Sequence, residues 1–171
     1  MTVSASGDVP ENPAARLRVD FQALDRVLPF SGPEAIDTAC LECFPYAYAG
    51  TPHGDRMEIV TVTEEFTSVC PFSGLPDFAR VTIRYTPRDR CLELRSLKYY
   101  LMSYRNVGIW YEHLVNRMLE DLVLACRPRR MTIEIACRPR GGLESTVVSR
   151  YDETEMGPPE SLVQDRPVTN S

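Results

Sequence analysis

The chain has 171 residues, 43% of them hydrophobic and 25% charged, with a net charge of −5, which is the profile of one globular domain with room for a real core. No apolar run approaches the ~20 residues of a membrane span, and the N-terminus lacks a basic segment followed by an apolar core, so the sequence predicts a cytoplasmic protein. Residues 1–34 carry three arginines against five acids and residues 151–171 one arginine against five acids. The near-neutral stretch between them offers no basic surface for nucleic acid.

Residues 1–34 are rich in Pro, Ala and small polar residues and read as a flexible N-terminal arm, with a short ordered piece over Leu17–Leu28. The folded domain is expected over 35–150, and 151–171 as an acidic flexible tail. Cys40 and Cys43 have the spacing of half a zinc site. There is no second such pair, and His53 and His113 are the only histidines, so no metal is expected. The six cysteines read as free thiols.

Met57–Thr63 alternates apolar and polar residues and reads as a strand. The stretch Glu65–Phe78, E-F-T-S-V-C-P-F-S-G-L-P-D-F, follows. Pro71, Ser73, Gly74 and Pro76 force a tight turn there. A cysteine is by default a small buried hydrophobe, but a core strand has no use for that run of turn residues, and loops carry reactive groups. A turn of this kind can bring Cys70 and Asp77 to one pocket. A thiol beside a proton-donating acid is the minimum equipment for attack on an unsaturated carbon.

Val81–Tyr85 alternates as a second strand, and Cys91–Leu94 continues extended after a turn at Pro87–Arg90. The period then changes: Leu97, Tyr100, Leu101 and Tyr104 follow helical spacing. From Ile109, Leu114, Met118, Leu122 and Cys126 recur every four residues with Val115, Leu119 and Val123 beside them, and Asn116, Arg117, Glu120 and Asp121 are expected on the opposite, solvated face. Arg127-Pro128 ends this helix. Met131, Ile133, Ile135 and Cys137 form a strand, and after Pro139–Gly142 the segment Leu143–Ser149 can return as its hairpin partner. Two strands, two helices and two strands make an α+β unit, an antiparallel sheet with two helices on one face. Its open edges are of the kind that oligomerisation covers. Gly141-Gly142 alone is too weak a signal for a dinucleotide fingerprint. The single lysine, Lys98, stands against eighteen arginines and marks a position where a compact, rotatable ammonium is used.

Cys70-Pro…Gly74…Pro76-Asp77-Phe78, followed by the octapeptide Glu93-Leu-Arg-Ser-Leu-Lys-Tyr-Tyr100, resembles the NADPH-dependent 7-cyano-7-deazaguanine reductases in their single-module form, over about Phe44–Val148. These are nitrile reductases of the queuosine tRNA-modification pathway, within the tunnel-fold superfamily. The resemblance implies a homo-oligomeric barrel with sites between subunits and NADPH as cofactor. It implies reduction of the nitrile of 7-cyano-7-deazaguanine to the 7-aminomethyl amine. By the same resemblance Cys70 is the thiolate that forms a covalent thioimide and Asp77 is the proton donor; to donate near neutral pH, Asp77 is expected to be partly buried with a raised pKa. Leu92, Glu93, Leu94, Tyr111 and Glu112 then line the deazaguanine pocket, the Glu112 carboxylate accepting two N–H bonds from the base. Arg95, Ser96, Lys98, Arg140 and Gly141 then meet the cofactor.

Two departures stand out. Arg95 replaces the family's usual lysine and keeps the charge. Tyr111 replaces the family histidine before the pocket glutamate and is a different proton handler. His113 does not restore it, because two positions along a helix turn it about 200° away. Two rival readings follow: a sibling enzyme that forms the same thioimide but transfers a nitrogen nucleophile, and a non-catalytic deazapurine-binding protein. The cofactor residues argue against the first, and the paired Cys70 and Asp77 against the second.

Overall fold

A computed structural model describes residues 28–164; the ordered piece expected over Leu17–Leu28 lies outside them but for its last residue. In chain order the elements are β1 (Cys43–Pro45), β2 (Ile59–Val69), β3 (Pro76–Thr86), β4 (Arg90–Leu92), α1 (Leu94–Ser103), α2 (Tyr111–Cys126), β5 (Arg130–Cys137), β6 (Thr146–Asp152) and the short turns α3 (Glu153–Met156) and α4 (Ser161–Gln164). Strands β2-β3-β5-β6 form one four-stranded sheet, antiparallel throughout, and β1 pairs with β4 in a separate two-stranded ribbon. The α+β expectation holds.

Alternation decides which sheet face is covered. Val81, Ile83 and Tyr85 of β3 and Met131, Ile133, Ile135 and Cys137 of β5 are all buried, because successive side chains point to opposite faces. The residues that α2 lays over that face, Leu114, Met118, Leu122 and Cys126, are fully buried at the expected four-residue spacing. The helix stops at Arg127, whose φ of 48° lies in the left-handed region and whose N–H reaches back to the Val123 carbonyl at 2.9 Å, with Pro128 preventing continuation.

Three expectations change. Asp121 is not on a solvated face: it is buried, accepts from Tyr100 Oη at 2.9 Å, and takes both carboxylate contacts from Arg117 Nε at 2.9 and 2.8 Å. Helical spacing alone does not separate the margin of the apolar stripe from the solvated face. The folded body also runs past both expected boundaries. Ser31 donates to the Asn106 carbonyl and accepts from Gly108 N, both at 2.8 Å. At the other end, Tyr151 is buried in β6 and its hydroxyl donates to the Gly157 carbonyl at 2.8 Å. Finally, the strand read over Met57–Thr63 continues to Val69, with a bulge between Thr63 and Phe66. That continuation delivers the chain to Cys70.

Candidate active site

The turn between β2 and β3 is built by its own backbone. Cys70 N donates to the Leu75 carbonyl at 2.9 Å and Gly74 N to the Cys70 carbonyl at 2.8 Å. Gly74 has φ +68°, and a Cβ there would meet the Leu28 carbonyl oxygen at 3.1 Å, so glycine is required twice over. This reversal sets Ser68 directly opposite Asp77 in the β2–β3 register. Cys70 is 8% exposed and Asp77 4%.

The loop also tunes the thiol. Burial raises the Cys70 pKa, but hydrogen bonds from the Ser73 side chain, from the backbone N–H groups of Ser73 and Phe72, and from Arg140 outweigh it and bring the value from 9.0 down to about 7. Arg140 comes from the β5–β6 hairpin, where Arg140 and Leu143 exchange backbone hydrogen bonds at 2.9 Å around Gly141 and Gly142, both left-handed. The Arg140 guanidinium forms an ion pair with Asp77 Oδ1 and donates to the Pro76 carbonyl at 3.4 Å. Among the described residues Asp77 Oδ1 has no partner in hydrogen-bond geometry.

A third element reaches the same place. Val69 pairs in parallel with Gly108, with Val69 N donating to the Val107 carbonyl at 2.9 Å and Ile109 N to the Val69 carbonyl at 3.2 Å. That splint sets the first turn of α2, Tyr111 and Glu112, beside the β2–β3 turn. Burial, with the Cys137 and Cys70 thiols nearby, holds the Tyr111 phenol far above its ordinary range. Burial likewise pushes the Cys137 thiol up to about 11, against the pull of Tyr111 and with the Glu112 charge adding to it. Among the described residues the Tyr111 hydroxyl and Ser68 Oγ are both buried without a partner in hydrogen-bond geometry, the Cys137 thiol lying nearest to Tyr111. Unpartnered buried polar atoms clustered at one turn fit a site that receives a polar ligand.

The octapeptide is arranged differently. Glu93 caps α1, accepting from Arg95 N at 2.9 Å and Ser96 N at 2.7 Å. Ser96 is buried, its hydroxyl donating to the Glu93 carbonyl at 2.8 Å and accepting from Glu42 N at 3.0 Å. Leu92 is buried in the core, whereas Leu94 and Arg95 are exposed. Lys98 pairs with Glu65, and a shallow groove beside them is lined by Phe66, Leu101 and Arg105. Glu65 lies five residues before Cys70 on an extended chain, roughly 16 Å away at about 3.3 Å per residue. Cys70, Asp77, Tyr111, Glu112 and Arg140 are therefore brought together within this chain, and Lys98 lies apart from them.

The sequence reading missed Ser73, Ser68, Cys137 and Arg105. Arg105 had a signal, seven residues after Lys98 on the same helical face. Cys137 had none, since it reads as one more apolar residue in an alternating strand.

A reductase from Caldicellulosiruptor bescii named NADPH-dependent 7-cyano-7-deazaguanine reductase is 51% identical over 122 residues, 71% of this chain and 90% of its own length. The chain belongs to the NADPH-dependent 7-cyano-7-deazaguanine reductase family. Members from Caldanaerobacter subterraneus and Chlorobaculum tepidum are 47% and 50% identical, over 72% and 57% of this chain and 90% and 83% of theirs. The model of the family described as QueF-like protein matches residues 76–156. A solved structure, an archaeosine synthase QueF-Like in the apo form, aligns at 29% identity over 55% of this chain and 90% of its own, with a TM-score of 0.49. Among the described residues no helix is long and apolar enough to cross a membrane, and no group of side chains is arranged to hold a metal ion.

Proposed function

We propose that this protein reduces the nitrile of 7-cyano-7-deazaguanine to the aminomethyl group with NADPH, as the names of its relatives state for them. The observation that carries the reading is that Cys70 and Asp77 are both buried at the two ends of one β2–β3 turn, with the thiol poised near neutrality. A nitrile is a poor hydride acceptor. Addition of the Cys70 thiolate to its carbon forms a C–S bond and breaks one C–N π bond, while the nitrogen takes a proton, giving a thioimide. Asp77 is the group placed to hand over that proton and a later one. Loss of the thiolate after the first reduction regenerates Cys70 and leaves an imine for the second. Two hydrides and two protons in all convert the nitrile to the primary amine.

The residues present fit a phosphorylated dinucleotide. Lys98 and Arg105 lie along one groove, and Arg140 projects from an open turn where a Cβ on Gly141 or Gly142 would meet nothing within 4 Å. Those cations would hold its phosphates, and the cofactor supplies the two hydrides. Glu112 and Tyr111 would hold the base. The sites would lie between subunits of a homo-oligomer in which barrel closure covers the sheet edges.

The test is anaerobic mixing with 7-cyano-7-deazaguanine, first alone and then with NADPH, wild type beside Cys70→Ala. The expected result is a Cys70-dependent adduct in the intact mass and the thioimide absorbance, followed by consumption of two NADPH per nitrile. An adduct that consumes no NADPH would replace the reading with nucleophile transfer or plain binding.

A further inference from the structure

Arg140 touches both groups on which the proposed chemistry depends. Its guanidinium is ion-paired with Asp77, lies near enough to Cys70 to help lower the thiol's pKa, and among the described residues its side chain donates to one neutral acceptor, the Pro76 carbonyl. Its side chain is nonetheless 48% exposed, while the Asp77 side chain beneath it is 5% exposed. It stands at the mouth of a two-residue turn with open space around both glycines. A cation so placed can face inward to the thiolate and carboxylate or outward to an anion in solution, and it cannot satisfy both fully.

We propose that Arg140 is shared between the Cys70–Asp77 pair and the cofactor phosphates, so that dinucleotide binding withdraws positive charge from the pair and covalent capture of the nitrile releases Arg140 to the dinucleotide. This rests on the reductase reading and deepens it. With Arg140 turned inward, Cys70 is held as the thiolate that attacks, and Asp77, having handed its first proton to the nitrile nitrogen, is left as the carboxylate that Arg140 pairs. Once the sulfur is bonded to carbon it carries no charge, and one of the two attractions on Arg140 is gone. An incoming phosphate then takes the guanidinium more readily, and an Asp77 relieved of its cation binds the proton it must deliver. Linkage makes the effect reciprocal: whatever nucleotide does to the ionisation of the pair, neutralising the pair does to nucleotide affinity. The result is an order of events, nitrile first and cofactor second.

Tyr111, from the start of α2, faces the thiol, with Cys137 of β5 and Glu112 of α2 next beyond it and Asp77 of β3 across the turn. Arg138, next along the chain from Cys137, is occupied by Glu64 at 3.2 Å. Among the cations on these elements, Arg140 is the one that lowers the Cys70 pKa.

The experiment uses the full-length protein. The pH midpoint of Cys70 alkylation by iodoacetamide is measured by peptide mass, with and without saturating NADP+, in wild type, Arg140→Met and Arg140→Lys. NADP+ binding is followed separately by calorimetry. The midpoint rather than the plateau is read, because bound nucleotide can slow alkylation merely by covering the site. In wild type, NADP+ is expected to raise the midpoint by about 1 pH unit, the scale of losing one contacting charge. Arg140→Met should start at the raised midpoint and respond no further, and Arg140→Lys should restore much of the wild-type value. A wild-type midpoint that stays put while calorimetry shows NADP+ bound would overturn the sharing and leave the reductase reading intact. A midpoint unchanged by Arg140→Met would overturn it as well. No binding of NADP+ either to the free protein or to the protein carrying the nitrile adduct would remove both.

Discussion

Tyr111 stands where the resemblance places a histidine, and its surroundings define what it can do. Among the described residues its hydroxyl is buried without a partner in hydrogen-bond geometry, and its pKa is driven upward by burial and by two neighbouring thiols. It is therefore a neutral donor throughout the working range and never a proton shuttle, unlike a histidine, whose charge changes near pH 6.5. Tyr111→Phe is expected to slow thioimide formation by about tenfold, the equivalent of one donor worth ~1.4 kcal/mol in the transition state, without changing the shape of its pH profile. Tyr111→His should add a second titration to that profile between about pH 6 and 7. Stopped-flow absorbance of the adduct checks both, and a profile unchanged by histidine would mean that position 111 does not touch the reacting groups. Cys70 makes the companion prediction. Its pKa is lowered from 9.0 to about 7, so the reactive thiolate accumulates as pH rises and is half formed near neutrality. Iodoacetamide should alkylate Cys70 with a midpoint near pH 7, while the Cys137 thiol, raised to about 11, remains unreactive there.

Two helices have to be held in register for α2 to present Tyr111 to the turn, and a buried polar network does part of this. Tyr100 of α1 donates to Asp121 of α2, shares a 2.7 Å hydrogen bond with Tyr104, and Asp121 is clamped by Arg117. Removing one partner leaves the others buried and unsatisfied. Asp121→Ala should cost about 3 kcal/mol, the scale for breaking a buried ion pair, read as a lowered urea midpoint. Asp121→Asn should cost less because it retains the tyrosine contact. The main elements, from β2 onward, were legible because each has a clean period: two for Val81–Tyr85 and Met131–Cys137, and close to four for Leu114–Cys126. Strand β1 was not, since three residues ending in proline carry no alternation. Nor was the burial of Asp121, which depends on what packs against the helix margin rather than on the helix. At the site, Cys70 and Asp77 were readable from turn chemistry, because a β-turn closes locally. The approach of Tyr111 and Arg140 depends on pairings across 39 and 70 residues of sequence, and those were visible through family resemblance alone.

At the scale of the whole molecule the single chain is an incomplete container for this chemistry. A thioimide must be kept from water, which would hydrolyse it, so the pocket has to be closed on all sides. Yet around the Cys70 turn Phe72 is 88% exposed, Leu75 55% and Trp110 50%, an apolar rim of the kind that a partner covers. The Lys98 groove opens along β2, well away from that rim, and among the described residues β6 and the part of β2 before Val69 are unpaired sheet edges. These features fit a site assembled from two copies, one giving Cys70 and Asp77 and the other giving Lys98. The arrangement predicts complementation. Cys70→Ala and Lys98→Met should each be inactive or nearly so as homo-oligomers. When the two are unfolded, mixed and refolded together, hybrid interfaces should form in which an intact Cys70 from one chain faces an intact Lys98 from the other. NADPH consumption should then reappear at a fraction of the wild-type rate. The fraction should rise to a maximum at equal proportions, because productive junctions need one chain of each kind. If both residues serve a site within one chain, every hybrid site still lacks one of them, and the mixture stays as inactive as its components at every ratio.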